Sequence, residues 1–268
     1  MSPAVDVDGE RLAWRERGSG PTLLLLHGLG GSRLSWEPQL DGLSAEHRVV
    51  AWDMPGYGAS APLAGQLTFL ALADAVVDLL DSLGVLTAHV AGISFGGMIA
   101  QHAAARHPAR LSTLALLSTS PKFGLDGTKP AEWRAARLAP LEAGLEPAEF
   151  ADDVLAAIAG PNIAPEALAG QRAAMARISG AALRRSIDCL VTHDSTAVLP
   201  SISAPTLCMV GELDEETPIG YGFALADLIP GARLAVIPGA GHLLNVEAPD
   251  DVNRLLEEHM ARAASECT

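Results

Sequence analysis

The chain has 268 residues, 49% of them hydrophobic and 19% charged, so it can bury a substantial core and is too apolar for a disordered chain. It carries 18 basic against 32 acidic side chains, a formal net charge of −14. That balance disfavours nucleic acid as a partner, because nonspecific binding needs Lys and Arg on phosphates, and it disfavours an anionic membrane surface for the same reason.

Thr22 to Leu26 is a short continuous apolar run that reads as a strand buried on both faces, and it ends in the loop His27-Gly28-Leu29-Gly30-Gly31-Ser32. Trp36 to Leu43 reads as a short helix. Arg48 to Trp52 is a second buried strand, ending at Asp53-Met54-Pro55-Gly56-Tyr57-Gly58. From Leu67 to Leu83 the residues Leu72, Val76, Leu79, Leu80 and Leu83 recur at helical spacing, and Gly84 supplies a stop. Ala88 to Ile93 is a strand running into Ser94. Met98 to Arg106 reads as a helix that stops before Pro108, and Leu111 to Leu117 as another buried strand.

The alternation then breaks. Residues 121 to 200 carry Ala-rich helical patterns (Trp133 to Leu141, Ala148 to Ala159, Pro165 to Ile178, Ala181 to Leu190) and almost no β-branched runs. An insertion of this length between sheet strands predicts a helical cap, with 1 to 120 and 201 to 268 forming the core. Thr206 to Val210 and Arg233 to Ile237 return to the strand pattern, and Val252 to Ala264 reads as a terminal helix. Strands alternating with helices predict an α/β fold with a mostly parallel sheet, whose ligand site lies at the C-terminal strand ends.

Cys189, Cys208 and Cys267 cannot all pair and show neither CxxC nor a zinc spacing, so they read as reduced thiols in a soluble cytoplasmic protein. Met1 to Gly9 lacks a basic-then-apolar leader, and no apolar run reaches the roughly 20 residues of a membrane helix. Aromatic residues make up only 4%, which predicts an aliphatic pocket with few stacking surfaces. The sequence leaves the oligomeric state open, a homodimer included.

Gly92-Ile93-Ser94-Phe95-Gly96 matches G-x-S-x-G between a strand and a helix, the context in which the motif raises a serine hydroxyl above a sheet. Its bland counterpart is a glycine-rich turn with an incidental serine. The loop after the first strand can aim a backbone N–H at the same point, so the amides of Leu29 and Phe95 are the candidate oxyanion donors. That loop lacks G-K-[ST] and does not complete G-x-G-x-x-G, so a phosphate loop is not indicated. His27, just before Gly28, reads as a brace for the loop.

A serine nucleophile needs a base. Of eight histidines, only His242 follows the last strand, in Pro238-Gly239-Ala240-Gly241-His242. Asp214 follows the strand before it, in Gly211-Glu212-Leu213-Asp214, where a carboxylate can accept the imidazole N–H. Its neighbours Glu212, Glu215 and Glu216 read as a solvated acidic run. His193, near the end of the cap, is a candidate substrate contact, and no cluster suggests a metal site. The order Ser94, Asp214, His242 is the chain order of a Ser-Asp-His hydrolase.

On these residues, with Asp53 to Ser60 matching D-x-x-G-x-G-x-S, the chain resembles the α/β-hydrolase superfamily from His27-Gly28 to its C-terminal helix. The resemblance implies about eight strands, a cap after the sixth, no cofactor, Ser94, Asp214 and His242 as the catalytic triad, and Leu29 and Phe95 as the oxyanion hole. Serine at position 94 argues against the dehalogenases and epoxide hydrolases, which carry Asp there. Gly241 to Glu247 and Arg184 to Asp194 are similar to the 3-oxoadipate enol-lactonase and carboxylesterase-like group, whereas His27-Gly28-Leu29-Gly30 and Phe95 depart from the usual lactonase pattern. The implied activity is hydrolysis of a small ester or lactone. C–C hydrolysis of meta-cleavage products by the same triad is the alternative, disfavoured by Ile93 where that group carries Asn. A noncatalytic ligand receptor is the third reading. Residues 121 to 200 hold eight basic and ten acidic side chains. Arg134, Arg137, Arg172, Arg177, Arg184 and Arg185 are therefore candidate carboxylate anchors.

Overall fold

The computed structural model describes residues 3–266. Its eight strands are β1 (Val5–Asp8), β2 (Ala13–Arg17), β3 (Thr22–Leu26), β4 (Arg48–Asp53), β5 (Ala88–Ile93), β6 (Leu111–Leu117), β7 (Thr206–Gly211) and β8 (Arg233–Ile237). They form one sheet in the order β1-β2-β4-β3-β5-β6-β7-β8. Every pairing is parallel except β1 with β2 and β2 with β4.

The helices are α1 (Glu37–Leu43), α2 (Phe69–Ser82), α3 (Phe95–Arg106), α4 (Pro130–Glu142), α5 (Ala151–Ile158), α6 (Pro165–Met175), α7 (Gly180–Leu190), α8 (Ile219–Leu228), α9 (Leu244–Glu247) and α10 (Pro249–Glu266). Four of them, α4 to α7, lie between β6 and β7. Among the described residues none is long and apolar enough to cross a membrane.

Of the six strands joined by parallel pairings, β3 to β7 follow the sequence pattern closely because they are buried on both faces, whereas β8 at the sheet edge is partly exposed. In β3, Leu23 and Leu25 pack to one side, with α1 and α10, while Leu24 and Leu26 pack to the other, with α2 and α3. The sequence reading passed over β1 and β2. They carry charged residues and lie at one edge of the sheet, where β1 is almost wholly exposed, so they lack the continuous apolar run that marks a central strand. It also missed α8 and α9. Helix α3 begins at Phe95, directly after Ser94, and not at Met98. The expected helix over Ala148 to Ala159 starts as a 3-10 turn at Pro147–Glu149 and becomes α-helical only at Ala151.

The connection from β3 runs to β4 on one side and returns to β5 on the other, which opens a crevice above the C-terminal ends of β3 and β5. Buried polar contacts fix the loops at its rim. His27 takes no solvent exposure; burial pushes its pKa below the ordinary imidazole value, and the neutral ring bridges two loops. Its Nδ1–H donates to the Gly28 carbonyl at 2.9 Å, and its Nε2 accepts the Met54 N–H at 3.0 Å. The ring is stacked on Tyr57, 5.5 Å between centroids. The bracing role expected of His27 is what these contacts perform.

Asp53 is also fully buried. It accepts the Arg33 and Ala59 amides at 2.9 and 3.1 Å and faces the Arg33 and Arg177 guanidiniums at 3.5 and 3.7 Å. Gly58, at φ 52, lies so close that any Cβ there would overlap the Asp53 carboxylate. Cys189 and Cys208 are free, with burial pushing both thiols up to about 12, while Cys267 lies outside the described residues.

Leu24 is wholly buried on the central strand β3. Replacing it with Ala should cost about 3 kcal/mol of stability by leaving a cavity, read as a lower urea midpoint with an unchanged m-value.

Candidate active site

Ser94 sits between β5 and α3 at φ 53, ψ −119, a backbone conformation rare for a residue with a side chain. The turn is forced by close packing. A Cβ at Gly92 would overlap the Gly96 carbonyl, and a Cβ at Gly96 would overlap the Leu26 carbonyl, so strand, turn and helix meet backbone to backbone. The Ser94 N–H donates to the Leu117 carbonyl of β6 at 2.9 Å. Its own carbonyl accepts Met98 N–H at 3.0 Å and Thr119 Oγ–H at 2.8 Å.

Leu29 lines the same cavity as Ser94. A Cβ on its neighbour Gly28 would lie 3.3 Å from the Ser94 Cβ, so the loop backbone runs directly beside the serine. Phe95 is the first residue of α3, ahead of the Met98-to-Ser94 bond that opens the helical ladder, so its N–H has no partner within the helix. The helix dipole adds positive potential at the same point.

Asp214 and His242 meet beside Ser94's cavity, which His242 lines. His242 Nδ1–H donates to the Asp214 carboxylate, 3.0 Å to Oδ2 and 3.1 Å to Oδ1. Asp214 also accepts the Glu216 N–H at 3.0 Å, the Thr217 N–H at 2.8 Å and the Thr217 Oγ–H at 2.8 Å. The first of these closes an Asx turn. The loops that carry Asp214 and His242 are joined by Leu213 N–H to the Ala240 carbonyl at 2.8 Å and Gly239 N–H to Glu212 Oε2 at 2.9 Å.

Burial alone would push His242 down and Asp214 up. Their charges and shared hydrogen bond outweigh it, so Asp214 is held below the usual carboxylate range and His242 above the usual imidazole value, with Glu216 and Glu247 adding to the latter. The stabilisation tied to His242 is therefore present below pH 6.5 and lost as pH rises through its raised value. That tied to Asp214 is present above about pH 3.9 and lost as pH falls through its lowered value.

Ser94 and His242 line one cavity of about 250 Å³. Leu29, Met98, Val154, Ile158 and Leu190 give it an apolar wall. Phe123, Trp133 and Tyr221 also line it, which corrects the expectation of an aliphatic pocket: few aromatics occur, but three gather here. A second correction concerns the acidic run. Glu215 and Glu216 line the cavity, Glu216 pairs with Arg137, and Glu212 ties two loops, so the run is not simply a solvated loop.

Of the six candidate arginines only Arg137 lines this cavity among the described residues. Arg134, Arg172 and Arg184 pair with Asp188, Asp152 and Glu142, Arg177 faces Asp53, and Arg185 donates to the Leu63 and Gly65 carbonyls. His193 is not at the cavity: it is buried, donates Nε2–H to the Ser120 carbonyl at 2.9 Å and meets His102 at 3.3 Å. No group of three His, Cys, Asp or Glu side chains among the described residues could hold a metal ion.

Sequence reasoning also missed Glu247. Its carboxylate accepts the N–H groups of Gly160 and Leu243 at 3.0 Å each and of Gly241 at 2.6 Å, pinning the loop that carries His242.

The sequence model of the α/β hydrolase family matches residues 23–255. The chain belongs to that family. Over 256 residues it is 34% identical to a pimeloyl-(acyl-carrier protein) methyl ester esterase of Chromobacterium violaceum, covering 92% of this chain and 97% of that one. The enol-lactonase of Burkholderia xenovorans is a structural neighbour, with a TM-score of 0.83 at 27% identity, covering 97% of this chain and all of that one. A thermophilic esterase of Thermogutta terrifontis superposes with a TM-score of 0.81, also at 27% identity, over 98% of this chain and 99% of that one.

In this hydrolase the His242 ring should titrate above 6.5, followed by its NMR ring signals. Asp214→Asn removes the opposing charge and leaves burial to dominate, so the titration should fall below 6.5. An unchanged titration in that variant would contradict the pairing.

Proposed function

We propose that the protein is a serine esterase that cleaves small carboxylic esters or lactones through an acyl-enzyme. The observation that carries this reading is Ser94 held at positive φ on a strand-to-helix turn, facing one cavity with a buried His242–Asp214 pair. In the proposed reaction His242 Nε2 takes the Ser94 Oγ proton as Oγ attacks the carbonyl carbon. The oxyanion is received by the Leu29 and Phe95 amides. Asp214 accepts Nδ1–H and stabilises the imidazolium. The tetrahedral species collapses, the C–O bond to the leaving group breaks, and His242 returns its proton to the departing oxygen. A water then loses a proton to His242 and attacks the acyl carbon; the acid leaves and Ser94 recovers its proton.

The names of the esterase and enol-lactonase relatives support an ester or lactone as the bond class. We read residues 121 to 200 as a cap over the core formed by 1 to 120 and 201 to 268. In support, Trp133, Arg137, Val154, Ile158 and Leu190 from that segment line the cavity. The apolar wall and the small volume favour a short acyl chain. Arg137 Nη2 is already taken up by both Glu216 oxygens, so a neutral ester fits better than a dicarboxylate. The two free thiols are in keeping with a cytoplasmic site of action.

Ser94→Ala should lower kcat on a short-chain aryl ester by at least about 10⁴-fold, with the fold kept by circular dichroism. Substantial turnover in that variant would refute the assignment. The base must be neutral to act, so kcat/KM should rise with pH through a midpoint above 6.5.

A further inference from the structure

One charged contact at the cavity has no part in the reaction steps. Arg137 on α4 reaches across to the loop that carries Asp214, and its Nη2 donates to both Glu216 oxygens at 2.9 Å. The guanidinium lies over the Trp133 ring, 5.1 Å from its centroid, and Trp133 meets Phe123 edge-on at 5.3 Å. Both members of the pair are largely shielded, at 27% and 30% exposure.

Glu216 is tied to the Asp214–His242 pair in two ways. Its N–H, with the amide and hydroxyl of the adjacent Thr217, is hydrogen-bonded to the Asp214 carboxylate. An anchor on Glu216 is therefore an anchor on the turn that orients the acid. Its carboxylate also acts on His242 by charge, alongside Asp214 from the same loop and Glu247 from α9. The other charged groups at the cavity are Lys122, Asp126 and Glu215; Lys122 is paired with Asp194 at 3.3 Å, and Asp126 accepts the Thr128 N–H.

We propose that Arg137 is a positioning residue for the Asp214–His242 pair: its grip on Glu216 fixes the turn that supplies amides to Asp214, and it offsets a carboxylate charge that His242 would otherwise face. This rests on the esterase reading, since it takes His242 as the base. It joins helix α4, which lines the cavity, to the proton affinity of the base. Without Arg137 the bare Glu216 charge favours the imidazolium, and without Glu216 that support is lost.

The test is the pH profile of kcat/KM on a short-chain aryl ester for the wild type, Arg137→Gln, Glu216→Gln, the double variant and Arg137→Lys. Arg137→Gln should move the acid-limb midpoint up by roughly half a pH unit, the scale of one partly screened charge. Glu216→Gln should move it down by a similar amount, and the double variant should return it close to the wild-type value. Arg137→Lys keeps the charge but is shorter and lacks the flat guanidinium seated over the Trp133 ring, so its midpoint should be restored while its plateau kcat stays low. Partial misfolding scales a whole profile without moving its midpoint. Single variants whose midpoints stay put, or both move the same way, would overturn the proposal. Ser94→Ala in the same assay separates the two claims. An active Ser94→Ala refutes the esterase reading, whereas an inert one with unmoved midpoints elsewhere refutes only the role of Arg137.

Discussion

Strand β5 passes into helix α3 through a single residue, Ser94, and there is no space in that turn for a side chain at Gly92 or Gly96. The backbone carbonyls of Leu26 and Gly96 occupy the positions where Cβ atoms would fall. Holding Ser94 at positive φ costs of order 1–3 kcal/mol, and the surrounding bonds to Leu117, Met98 and Thr119 keep it there. The same closeness brings the β3 loop against the turn, so that Gly28 lies beside the serine and Leu29 at its cavity. The helix start, the proposed oxyanion donors and the proposed nucleophile are thus set by one packing constraint.

The proposed acid and base are placed by a different kind of contact. Their loops leave β7 and β8 as parallel neighbours and are joined by hydrogen bonds before either reaches the cavity. The helical segment between β6 and β7 is then fastened to those loops by charged side chains. Glu247 holds Gly160 against the histidine loop and Arg137 holds Glu216 on the loop that carries Asp214, while Arg177 ties the segment separately to the buried Asp53 at the end of β4. The parts that shape the cavity are therefore tied to the parts that hold the proposed base and acid. A buried carboxylate with several amide donors is a firm anchor, because losing any partner leaves a desolvated charge unsatisfied.

Much of this was legible in the sequence. The core strands read correctly because burial on both faces leaves a continuous apolar run, and G-x-S-x-G located the turn because its glycines answer a steric need local to the chain. The pairing of Asp214 with His242 followed from the order of strand-ending loops. The edge strands β1 and β2 were missed because half-exposed antiparallel strands such as Ala13–Arg17 mix charged and apolar residues. Thr217, Glu247 and the Arg137–Glu216 pair were missed for another reason. Glu247 reaches Gly160 87 residues away and the ion pair spans 79 residues, distances that no local pattern encodes, while Thr217 acts through a turn three residues from Asp214 that matters only because Asp214 meets His242. Composition misled once: a 4% aromatic content gives an average, whereas Phe123, Trp133 and Tyr221 are concentrated at one cavity.

The central claim is that Ser94 becomes acylated during turnover. Acid-quenched mass spectrometry of the protein mixed with excess short-chain aryl ester tests it most directly. The account predicts an acyl adduct on the peptide that holds Ser94, formed within the first turnover and absent from Ser94→Ala. An adduct on a different residue, or turnover of the ester with no covalent species and full activity in Ser94→Ala, would contradict it.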